Sequence, residues 1–81
     1  MKTEKIGLKD KYGIELRVGY IIETRYGVLN AIEKVDGKFC MRNPVTNPNA
    51  YLFFEDNKNI NLSIQVVGDM ETNPQILNQN D

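Results

Sequence analysis

The dipeptide Asp36-Gly37, set between two runs of strand-forming residues, constrains this chain more than any other stretch. Val28 to Val35 precedes it and Lys38 to Arg42 follows. A two-residue hairpin of type I′ needs positive φ at both central positions, which Asp-Gly adopts at little cost. Such a turn predicts Val28, Ile32, Phe39 and Met41 on one face and Glu33, Lys38, Cys40 and Arg42 on the other. On the second face, opposite charges then lie across from and diagonal to one another. A bulged three-residue loop would set Lys34 opposite Lys38, so the tight turn is preferred. Cys40 falls on the more polar face, where partial burial without reactivity is expected because no lysine cluster is evident beside it.

The flanking segments extend the same pattern. Ile6 and Leu8 form an edge strand or cap the core from outside. Asp10-Lys11-Tyr12-Gly13 has turn chemistry, with Asp accepting from nearby backbone N–H groups and Gly supplying positive φ. Leu16 to Arg25 predicts the first substantial strand, ended by Tyr26-Gly27. The adjacent Ile21 and Ile22 break strict alternation, as in a strand covered on both faces. Asn43 to Asn49, with two prolines, is a loop by composition. The apolar run Ala50 to Phe54 suits a short buried strand or one helical turn, and its aromatics favour the strand. Asp56 to Asn59 is another turn. Ile60, Leu62, Ile64 and Val66 then alternate with Asn61, Ser63 and Gln65, which predicts the aliphatic set inward and the polar set outward, with Gly68 ending the strand. Asn73-Pro74 has the cap and first-position chemistry of a short helical turn.

Short strands separated by turn signals, without a sustained helical period, argue an all-β fold. The 81 residues suffice for one domain, expected over residues 1–77 with 78–81 as a fraying polar tail. A small SH3-like β-barrel of about five strands, with a short helical turn near the C-terminus, removes most exposed sheet edges and is the expected architecture.

Composition narrows the chemistry. The formal net charge is -1 with both signs interspersed, so there is no basic footprint for duplex nucleic acid and no polybasic membrane anchor. Cys40 is the only cysteine, which excludes an internal disulfide and a multi-cysteine metal site. No apolar run approaches the roughly 20 residues of a membrane span, and the expected location is cytoplasmic. Histidine is absent, which removes the commonest general base and metal ligand. Glu55-Asp56 and Asp69/Glu71 lack the spacing and apolar surroundings of a tuned carboxylate pair. Gly7 and Gly13 do not make a phosphate loop, because the Gly-Lys-Ser/Thr ending is missing. No enzyme activity, cofactor or metal is expected.

Two stretches carry a family pattern. Gly7-Leu8-Lys9-Asp10-Lys11, Gly13, Glu15, Gly19 and Ile21 match the opening motif of the YopX family of phage and prophage proteins, and Val66-Val67-Gly68-Asp69-Met70-Glu71-Thr72-Asn73-Pro74-Gln75-Ile76-Leu77 is similar to its closing motif. The chain departs from the pattern at Ile6, Tyr12, Val18 and Tyr20, where the family has Thr, Asn, Glu and Asp. Many relatives also carry a further segment before the first motif. The resemblance implies a small β-rich fold and a phage or prophage setting, and it assigns no catalytic residue.

The residues left for function are on the surface: the Lys9–Gly13 turn, the Asn43–Asn49 loop and the tyrosines. Tyrosine pairs ring area with a hydroxyl that prefers a wet end. The candidate binding residues are Lys9, Asp10, Lys11, Tyr12 and Tyr20. The expected role is that of a non-enzymatic binding or adaptor module that contacts an unidentified host or phage protein. The alternative is weak single-stranded nucleic-acid binding through tyrosines with Arg or Lys beside them. An unpaired edge strand would also permit self-association.

Overall fold

The computed structural model describes residues 4–56 and 63–78. Seven strands form among these residues: β1 (Lys5–Lys9), β2 (Glu15–Arg17), β3 (Tyr20–Glu23), β4 (Leu29–Val35), β5 (Lys38–Asn43), β6 (Asn47–Phe53) and β7 (Gln65–Asp69). Two 3-10 turns, Phe54–Asp56 and Pro74–Asn78, complete the described elements. β1 and β2 make a two-stranded sheet, and the other strands make an antiparallel five-stranded sheet in the order β6-β5-β4-β3-β7. This is a small, barrel-like all-β fold with the expected C-terminal helical turn.

The Asp36-Gly37 hairpin forms in the tight register. Val35 pairs with Lys38, and φ is 51° at Asp36 and 78° at Gly37. Glu33 faces Cys40, and Arg42 donates from Nε and Nη2 to Glu33 Oε2 at 3.1 and 2.8 Å. Lys38 reaches Glu55 at 3.7 Å.

Both faces of the central strands are covered. On one side Leu16, Ile22, Ile32, Met41, Phe54 and Ile64 form a buried cluster, with Ile6, Leu8, Val18, Tyr20, Phe39 and Val66 packed onto it. On the other, Ile21, Leu29, Ala31 and Leu77 form a second cluster beneath the C-terminal 3-10 turn. Ile21 and Ile22 thus point to opposite clusters, as their adjacency requires.

Several expectations are corrected. The run Leu16 to Arg25 is two strands, because Val18-Gly19 turns (φ 96° at Gly19) and sends β2 and β3 into different sheets. Val28 lies in the turn before β4 and is exposed, so it does not join Ile32 inside. Cys40 is fully buried, flanked in register by Glu33 of β4 and Phe53 of β6. The loop after β5 is shorter than composition suggests: β6 already begins at Asn47. The run Ala50 to Phe53 is strand, yet exposed or half-buried on the sheet edge, and Phe54 opens the 3-10 turn. Gly68 sits inside β7, which runs on to Asp69, and Asn78 belongs to the C-terminal 3-10 turn. Ile64 and Val66 do contact the first cluster. The expectations for residues 57–62 and 79–81 lie outside the described residues.

The edge of the sheet at β6 is blunted. Met41 faces Leu52 and Asn43 faces Asn47, so two steps along β5 correspond to five along β6. The strand arches away there and contains Pro48, which has no N–H to offer a new neighbour.

Candidate functional site

Three turns gather at one end of the sheet. The register sets Glu23 against both Leu29 and Gln65, so the turn of residues 24–28 adjoins the start of β7. Lys11 N–H donates to Ile64 O at 3.0 Å, which seats the turn of residues 10–14 on the same spot. Asn43 Nδ2 donates to Leu29 O at 3.0 Å, which brings the turn of residues 44–46 alongside.

Each turn is held by one side-chain oxygen that accepts two backbone N–H groups. Asp10 Oδ1 accepts from Tyr12 at 2.9 Å and Ile14 at 2.8 Å. Thr24 Oγ1 accepts from Tyr26 at 3.3 Å and Val28 at 3.2 Å. Asn43 Oδ1 accepts from Val45 at 2.9 Å and Thr46 at 3.0 Å. Side-chain acceptors of this kind fix a turn without a flanking ladder. Asp10 is buried, and its Oδ2 also accepts from Val66 N–H at 3.0 Å. Burial would raise the Asp10 carboxyl, but the bonds from Val66, Ile14 and Tyr12, with Lys11 nearby, together hold it below its ordinary value.

The held turns carry apolar side chains into solvent. Tyr26 is 78% exposed, Tyr12 67%, Val45 54%, Val28 50% and Ile14 45%, the five most exposed large apolar residues described. Lys11 Nζ lies 5.3 Å from the Tyr12 ring centre, and the Arg25 guanidinium lies 4.9 Å from that of Tyr26. Arg25 also donates to the Tyr26 hydroxyl at 2.8 Å.

The sequence-derived candidates fall unevenly on this arrangement. Lys11 and Tyr12 are exposed within it, and Lys9 is exposed where β1 enters the first turn. Asp10 shapes the turn from inside, with both oxygens engaged. Tyr20 is at the far end of β3, opposite Asp69, half-buried against the first cluster. It does not join the other four. Tyr26 and Val45 fall within the tyrosine set and the Asn43–Asn49 loop singled out by the sequence, though outside the five named binding residues, whereas Ile14 and Val28 lie outside both. Their signal is an apolar residue placed within turn-forming composition, where the core cannot use it.

The opposite end holds an apolar groove of about 440 Å³ lined by Ile6, Leu8, Phe39 and Phe54, with Lys38 and Glu55 at its rim. Among the described residues no three His, Cys, Asp or Glu side chains group to hold a metal ion. Burial, and then the Glu33 charge, push the Cys40 thiol up against a smaller opposing effect from Arg42, so it is a poor nucleophile. No helix among the described residues is long and apolar enough to cross a membrane.

Fold and site together define a small all-β module with a turn-borne surface. No protein-family model matches the chain, and no curated protein matches it.

Proposed function

We propose that this protein is a non-enzymatic binding module of phage or prophage kind that acts through protein contacts at the three-turn end of its barrel. The observation that supports this reading is the set of five exposed apolar side chains on turns whose backbones are already fixed. Exposed apolar groups on a monomer's surface mark contact sites, and tyrosines and arginines are favoured anchors there. Turns held before binding lose little conformational entropy when a partner arrives. The phage or prophage setting rests on the YopX-like motifs. Those two motifs touch in space through Asp10 and Val66, and through Gly19 O, which accepts from Met70 N–H at 2.8 Å.

A second reading, weak single-stranded nucleic-acid binding, is favoured by the cations beside Tyr12 and Tyr26. Against it, three of the five exposed apolar side chains, Ile14, Val28 and Val45, are aliphatic and offer a base no π face to stack on.

The test compares the parent chain with a Tyr12→Ala/Tyr26→Ala double variant. Both are used for capture from a bacterial host lysate and titrated with single-stranded oligonucleotides across a salt series. A protein retained by the parent chain and lost by the variant is the expected result. Salt-sensitive oligonucleotide binding lost in the variant, with no protein retained, would replace the protein reading by the nucleic-acid one.

A further inference from the structure

The described cations divide into two groups. Lys5, Arg17, Lys34, Lys38 and Arg42 each lie within 4.0 Å of a carboxylate oxygen. Lys9, Lys11 and Arg25 have no such partner among the described residues. Lys11 and Arg25 lie over tyrosine rings instead. All three unpaired cations are at the three-turn end: Lys9 and Lys11 flank Asp10, and Arg25 is in the second turn.

The acids nearby offset them only in part. Asp10 keeps its charge beside Lys11, although backbone N–H groups take both its oxygens and leave none for an ion pair. Glu15, across from Lys9 in the register, is held by Lys5 at 3.3 Å. Glu23 is half-buried at the last position of β3. Lys9, Lys11 and Arg25 set against Asp10 and Glu23 thus leave a surplus of one positive charge beside the most exposed apolar side chains of a chain whose net charge is -1.

Resting on the protein-binding reading above, we infer that the partner presents an acidic segment in which carboxylates are interleaved with aliphatic or aromatic side chains. Its carboxylates supply the ion pairs that Lys9, Lys11 and Arg25 lack, and its apolar side chains cover Tyr12, Ile14, Tyr26, Val28 and Val45. Charge complementarity of this kind speeds encounter and fixes register, while the apolar centre holds the complex. The aliphatic members decide against a nucleic acid. Ile14, Val28 and Val45 have no π face on which a base can stack, yet they are as exposed as a docking surface requires.

The probe is a surface-displayed library of random peptides, selected on the intact chain and counter-selected on the Tyr12→Ala/Tyr26→Ala variant. Enriched peptides should be rich in Asp and Glu beside Leu, Ile, Val or aromatic residues. Their affinity should fall with salt, and by about tenfold or more in a Lys11→Glu/Arg25→Glu variant, whose melting temperature, read alongside, should fall only slightly as Lys11 gives up its attraction to Asp10. Enriched peptides without an acidic excess, or indifferent to the charge reversal, would overturn the acidic-partner inference while leaving protein binding at this end intact. No enrichment over the double variant, with a homopolymeric single-stranded oligonucleotide bound instead, would overturn both.

Discussion

The Asp10 carboxylate accepts the backbone N–H of Val66 at 3.0 Å, across 56 positions of sequence. The same side chain caps its own turn, so one buried group ties the start of the chain to the last strand. Asp10→Ala leaves three backbone donors without their acceptor and should cost about 2–4 kcal/mol, measured by urea unfolding. Asp10→Asn keeps one oxygen for the turn but sets an amide N–H₂ against Val66 N–H, so it too should destabilise.

A pH dependence follows from the same contact. The folded-state pKa of Asp10 lies below its ordinary 3.8, so its charged form stabilises the fold. That contribution is fully present above the unfolded value and is lost as pH falls through the folded one. Unfolding free energy should therefore decline with acid below about pH 4. In Asp10→Asn the decline should be shallower, leaving the part contributed by groups such as Asp69, which its bonds to Thr72 and Glu71 also hold low against a smaller effect of burial.

Gly37→Val should destabilise by more than about 1 kcal/mol, since a β-branched residue resists a φ of 78°. No atom lies within 4 Å of the position a Cβ would take, so the cost is conformational rather than steric. Gly37→Asn, which tolerates left-handed backbone, should recover much of it in the same thermal melt.

Ile64 is fully buried between the first turn and the main cluster. Ile64→Ala should cost about 2–4 kcal/mol, a large share of the stability of a domain this small. Chemical denaturation of the two chains side by side reads the difference directly.

Cys40 has no solvent exposure and a raised pKa, first through burial and then through the Glu33 charge. A thiol reagent should label it only through opening of the sheet. Its labelling rate should rise with mild denaturant in step with unfolding, and Ile64→Ala should accelerate it. Immediate labelling of the native chain would contradict the burial.

Local chemistry was legible where it is self-contained. Asp36-Gly37 dictates its hairpin, Asn73-Pro74 its 3-10 turn, and Asp10 with Gly13 their turn, each within a few residues. What was hidden depends on contacts from afar. Nothing in the hairpin of Cys40 announces that Phe53 of β6 lies beside it on the far side from Glu33. The break at Val18-Gly19 is set by Gly19 N–H donating to Ile32 O and its own carbonyl accepting from Met70, partners far along the chain. The site was half visible. Lys11 and Tyr12 lay in a recognisable turn, whereas grouping Tyr26, Val28 and Val45 with them needed the strand register. Tyr20 was misplaced because a tyrosine at a strand start does not reveal which end of the barrel that start occupies.

The five most outward-facing apolar residues hang from turns pinned by side-chain oxygens, while the buried clusters draw mainly on strands and 3-10 segments. The exposed surface of this end and the fold are therefore written in different letters of the chain. Substitutions at residues 12, 14, 26, 28 and 45 can explore new partners with little threat to the scaffold, provided Asp10, Thr24 and Asn43 stay. A lineage under selection for new contacts could change this end rapidly, and an engineer could graft a chosen epitope there by the same route.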